Sequence, residues 1–139
     1  MQQTRRTRIT ANLVGMMLFI QVILGGGAVL LDFPIIYHLV WGTLTFIMLI
    51  VTTVLAARAF GANSTLLRVG VASIIDFVIQ GIIGLFSFGS DVAVVIHLTN
   101  AFLLAVIVTY LISFADSADK ASAKLNAQPR MTTLGNMRD

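Results

Sequence analysis

Four long stretches of this chain are almost free of charge, and that fact limits its fold more than any motif does. They cover residues 11–31, 33–57, 69–90, interrupted by Asp76, and 92–115, interrupted only by His97. Each passes the roughly 18 apolar residues that mark a membrane-crossing helix. The expected fold is an all-α membrane protein, a four-transmembrane-helix bundle at 1–116 with spans about 10–31, 34–58, 67–89 and 92–115, followed by a flexible cytoplasmic tail at 117–139. Only 11% of the 139 residues are charged, whereas soluble domains run near about a quarter. The spans leave no length for a second folded domain.

The few charges are sorted by position. Arg5, Arg6 and Arg8 precede the first span, Arg58 and Arg68 bracket the second loop, and Lys120, Lys124, Arg130 and Arg138 follow the fourth. The first and third loops carry Asp32 and Asp91 and no cation. The positive-inside rule then places both termini and the middle loop in the cytoplasm, with the chain integral to the cytoplasmic (inner) membrane. The net charge of +3 follows from topology and implies no nucleic acid partner. The first apolar run has full spanning length and belongs to a hairpin, so Met1 is expected in the mature protein rather than at the head of a cleaved leader. Cysteine is absent, which excludes disulfide and thiolate chemistry and Cys-based metal sites.

Sliding the chain by 59 residues lays the first hairpin on the second. Both halves read Q-x3-G-x6-D-x5-H-L: Gln21, Gly25, Asp32, His38, Leu39, and Gln80, Gly84, Asp91, His97, Leu98. Apolar coincidences mean little in such a composition, but the only two histidines and a pair of glutamines superimpose at one offset. Two parallel-repeat helical hairpins, related by a pseudo-twofold axis along the membrane normal, are the economical explanation. At 1.5 Å per residue, His38 and Gly25 both lie about 9–10 Å below the outer turn, and His97 and Gly84 share that depth.

Two imidazoles at one level, on the second and fourth helices, suit the two axial positions of a haem iron. Gly25 and Gly84, with Gly26, Gly27 and Gly81 around them, lack side chains that would fill the porphyrin plane. Bundle cores commonly hold such cofactors. The plainer reading makes each histidine an interhelical hydrogen-bond partner and each glycine a packing contact. A zinc site built on two histidines lacks a third ligand.

The pattern Gln21, Gly25, His38, Leu39, Gly42, repeated as Gln80, Gly84, His97, Leu98, Ala101, resembles the haem A synthase family over roughly residues 9–116. That resemblance implies one of the family's two four-helix bundles, with a histidine pair on its second and fourth helices. The family's catalytic bundle carries a glutamate ahead of its first helix-two histidine. Here that stretch is Phe33-Pro34-Ile35-Ile36-Tyr37-His38, and the chain has no glutamate. The likeness is therefore to the bundle that holds haem b, which implies a b-type cytochrome with no catalytic residues, transferring electrons in a respiratory or related membrane complex. The alternatives are a half-size haem A synthase-like enzyme or a haem-handling assembly factor acting as an oligomer, and a non-haem accessory subunit or small transporter.

The remaining residues set out finer expectations. Gln21 and Gln80 favour interhelical bonds over cofactor contact. Trp41 and Tyr37 flank His38 at the level of an outer aromatic belt. No basic residue is placed on the outer side, so haem propionates would meet water, Tyr37, Trp41, loop amides or a partner's cation. Met16, Met17 and Met48 read as packing residues. Asp76 shares a helix face with Gln80 and is either a proton-accepting or quinone-side group or the partner of a polar neighbour. Expected partners are membrane lipid, membrane-protein complex subunits or a second copy of the chain, and a quinone.

Overall fold

The computed structural model describes residues 2–127. It consists of α1 (Gln2–Leu30), α2 (Ile35–Phe60), α3 (Thr65–Phe86) and α4 (Asp91–Ala127), with one 3₁₀ turn at Ser87–Gly89. Each α-helix is long and apolar enough to cross a membrane.

Local chemistry sets the ends. The Gly27 carbonyl collects the amides of Leu31 (2.9 Å) and Phe33 (3.2 Å), and Asp32 turns left-handed at φ 54°, a conformation that aspartate tolerates better than most side chains. Pro34 then opens α2. Gly61 closes α2 at φ 81°, with its amide on the Ala57 carbonyl. Ser64 caps α3 by accepting the Leu67 amide at 3.2 Å, and Ser90 accepts the Ala93 amide at the head of α4.

The helices form a closed ring in which α1 packs on α2, α2 on α3, α3 on α4 and α4 on α1; the diagonal pairs do not approach at the backbone. The ends carrying the termini and the α2–α3 loop are here called inner, and the opposite ends outer. Ala11, Val14, Leu18, Leu49, Ala56, Leu66, Leu104, Val108, Leu111 and Ala115 make the apolar core. Every one of them lies in the inner and middle part of the bundle. Among the described residues no large apolar side chain is buried outward of Leu18, Leu49 and Leu104, so the outer part is filled differently.

The helices also run past the apolar stretches. At the inner end Arg8 meets Asp119 at 3.2 Å and Asp116 at 3.7 Å, and the Thr4 hydroxyl donates to Asp119. The segment from 117 that reads as a polar tail is helical through Ala127, because it is rich in alanine and its first turn is tied to α1. The rest of that segment, 128–139, lies outside the described residues.

Candidate functional site

His38 stands in the first turn of α2 and His97 in the second turn of α4, the diagonal partners of the ring. Each ring reaches across to the preceding helix. His38 Nδ1 lies 3.1 Å from the Gln21 carbonyl oxygen, and His97 Nδ1 lies 3.1 Å from that of Gln80. A carbonyl only accepts, so both histidines are protonated at Nδ1 and carry a lone pair at Nε2. The amide nitrogens of Gln21 and Gln80 donate to those lone pairs at 3.2 Å. Gln80 also donates to the His97 carbonyl at 2.9 Å. The ring contacts of one hairpin thus recur in the other at the same offset of 59. The two rings face one another across the bundle, with centroids 6.3 Å apart and planes at 67°.

The glycines serve the histidines directly. A Cβ on Gly25 would lie 2.8 Å from His38 Cε1, and one on Gly84 would lie 3.0 Å from His97 Cε1. The space beside each is taken by a ring of its own hairpin, so their smallness seats the imidazole rather than clearing a slot against a facing helix. Gly26 and Gly81 face open space, and Gly27 lies under the Phe33 ring. Gly42 has a role that sequence reasoning missed: a Cβ there would meet the Gln21 amide nitrogen at 2.7 Å. Its place in the repeat as the small residue after H-L was the available signal.

A polar layer fills the space just inward of the rings, and here the two halves differ. Trp41 Nε1 donates to the Met17 carbonyl at 2.8 Å, so its polar edge is spent on α1. The repeat counterpart of Trp41 is Asn100, and that of Met17 is Asp76. Asn100 donates to Gln80 Oε1 at 2.9 Å and lies beside Asp76. Gln80 therefore has every polar atom engaged, while Gln21 Oε1, with no donor in place of Asn100, is buried without a partner, as is Asp76 Oδ2. Tyr37 is exposed.

Two neutral imidazoles, each fixed by an Nδ1–H bond to a backbone carbonyl, are the donor arrangement that metal-ligating histidines show. Coaxial imidazoles bonded to one metal ion at about 2.0–2.1 Å would hold their ring centroids about 6.3–6.5 Å apart, and the observed separation is 6.3 Å. The separation matches that spacing, while each Nε2 is engaged by the glutamine amide of its own hairpin. The glutamine amides now on the Nε2 lone pairs would have to turn aside, and Gln21, with its orphaned oxygen, has reason to. Among the described residues no group of three or more His, Asp or Glu side chains could hold a metal ion, so a site made of protein ligands alone finds no third member beside this pair. Comparisons with protein-family models, curated proteins and solved structures return no match for the chain.

Proposed function

We propose that this chain crosses a cytoplasmic membrane four times with both termini inside, and that it is a b-type cytochrome holding one haem between His38 and His97 and passing electrons within a membrane complex. The observation that carries the reading is the pair of Nδ1-protonated rings on diagonal helices at a separation suited to one shared metal ion. The repeat behind it, two like hairpins running in the same direction, gives each ligand the same supporting carbonyl, amide and glycine. The pattern resemblance to the haem b-holding bundle of the haem A synthase family points the same way.

Membrane insertion is supported by the exterior. Phe19, Leu30, Leu85 and Phe102 are all about two-thirds exposed or more, on helices whose apolar surface is continuous, and soluble monomers do not present such surface to water. The one-sided arginines and lysines support the orientation. The cofactor, when bound, supplies a one-electron ferric–ferrous couple. The chain's own part would be to fix the ligand tautomer through the Gln21 and Gln80 carbonyls, to hold ring orientation over Gly25 and Gly84, and to hold the iron through His38 and His97. Two protein ligands on the iron would favour electron transfer over dioxygen chemistry.

Absorbance spectra of the purified protein, oxidised and reduced, test this. A low-spin six-coordinate haem is expected, and His38→Ala or His97→Ala should each give a five-coordinate spectrum or lose haem. Protein that folds and carries no haem after reconstitution, or an unchanged spectrum in either variant, would defeat the proposal.

A further inference from the structure

Asp76 is the buried carboxylate that the haem reading leaves without work. It is 7% exposed, and its Oδ2 is buried without a hydrogen-bond partner. No cation faces it. On α1 no charged residue lies between Arg8 and Asp32; on α2 none precedes Arg58, and on α4 none lies between Asp91 and Asp116, His38 and His97 being the titratable groups there. On its own helix the nearest charge is Arg68, eight residues toward the inner end, about 12 Å along the axis. An ionised carboxylate without a counter-charge is costly in such surroundings.

The side chain nevertheless neighbours the proposed site. Outward, Asn100 lies beside it and donates to Gln80 Oε1, and the Gln80 amide donates to His97 Nε2. Inward, the same buried face of α3 continues to Ser73 and Gly70, and Gly70 sits against the Thr53 hydroxyl. Ser73 and Thr53 each spend their hydrogen on a carbonyl of their own helix and keep oxygen lone pairs for another donor. The polar column thus starts at the histidine level and points toward the inner end, and the other hairpin, with Met17 at the matching place, has no equivalent.

We propose that Asp76 is a redox-linked proton site: it binds one proton arriving from the inner side when the bundle gains an electron and releases it when the electron leaves. This rests on the haem reading. A ferric centre supplies the one positive charge with which an ionised Asp76 can pair, and reduction removes it. The balance is one electron from a reduced one-electron carrier, taking ferric iron to ferrous, and one proton forming an O–H bond at the Asp76 carboxyl, with no other bond made or broken. The charge inside the bundle is the same before and after.

Redox potentiometry of the haem-loaded full chain in lipid nanodiscs between pH 5 and 9 tests it. The wild-type potential should fall as pH rises, approaching 59 mV per tenfold change in proton activity, the one-electron conversion, across part of that range. Asp76→Asn should flatten the dependence, Asp76→Glu should keep it with a displaced window, and Asn100→Ala should keep the slope while shifting the potential. Reduced-minus-oxidised infrared spectra should gain a protonated-carboxyl band that moves in Asp76→Glu, which decides the matter even where Asp76→Asn fails to fold. A pH-independent wild-type potential, a slope surviving in Asp76→Asn, or a dependence on sodium concentration at fixed pH would overturn it. Protein without a haem spectrum would instead sink the haem reading itself, before any potential is measured.

Discussion

At the scale of single residues, the seating of the two imidazoles can be tested without touching them. Gly25→Ala would put a Cβ 2.8 Å from His38 Cε1 and 3.0 Å from Nδ1, and that ring is pinned at Nδ1 by the Gln21 carbonyl and at Nε2 by the Gln21 amide, so it cannot simply slide away. Overpacking of this kind costs about 1–3 kcal/mol, and here the strain falls on a ligand. Gly15→Ala meets only the far end of Ile112, Cδ1 at 2.7 Å, which can rotate, and alanine gains helix propensity of about 1 kcal/mol. Gly25→Ala and Gly84→Ala should therefore lower the haem-to-protein ratio and the thermal midpoint, while Gly15→Ala leaves both near wild type. Gln21→Leu separates two states: without haem it strips a partner from His38 Nε2, a loss of about 1–3 kcal/mol, whereas with haem bound that lone pair is already in use. Its unfolding midpoint should drop in the haem-free protein and hold in the loaded one; an equal drop in both would show that the glutamine contact survives haem binding.

At the scale of helices, the crossing segments were legible because hydropathy alone makes them. The spans expected at 34–58 and 67–89 lie close to α2 (Ile35–Phe60) and to α3 with its 3₁₀ turn. The inward extensions of α1 and α4 were not legible, since Gln2–Arg8 and Asp116–Ala127 have no apolar periodicity, and their pairing depends on contacts between residues more than 100 positions apart. Lys120, first, at 2.6 Å, and then Arg8 hold the Asp116 carboxyl below its ordinary range. A lowered carboxylate pKa stabilises the paired form above the unpaired value and loses that contribution as pH falls through the lowered one. Lys120 acts within α4, so only the Arg8 share of that pairing joins α1 to α4, and that share should be present at neutral pH and fade below roughly pH 4. Spin labels at Arg5→Cys and Lys124→Cys should report a narrow distance distribution that broadens on acidification and at high salt, where exposed pairs are screened. A distribution indifferent to both would show that the ion pairs do not hold the joint.

At the scale of the whole molecule, the repeat made the histidine pair visible, and departures from the repeat hid the rest. Matching letters located His38, His97, both glutamines and two glycines, but Trp41 against Asn100 and Met17 against Asp76 are mismatches, so the polar column on one side emerges only when α3 and α4 are packed. The glycine role read from depth was incomplete for a related reason: depth says which residues are level, not which neighbour fills the space between them. The proposed orientation, drawn from the same arrangement of charges, can be checked by one labelling experiment. All seven Lys and Arg residues among the described ones belong to the inner end, and dragging several of them through lipid is far costlier than leaving them in place. The chain has no cysteine of its own, so single cysteines report cleanly. Ser90→Cys, ahead of α4 at the outer end, should react with a membrane-impermeant thiol reagent in intact cells, and Ala62→Cys, in the exposed α2–α3 loop, only after the cells are opened. The reverse pattern would turn the bundle over, moving the inner end of the Asp76 column to the other side of the membrane and reversing the direction from which its proton must come.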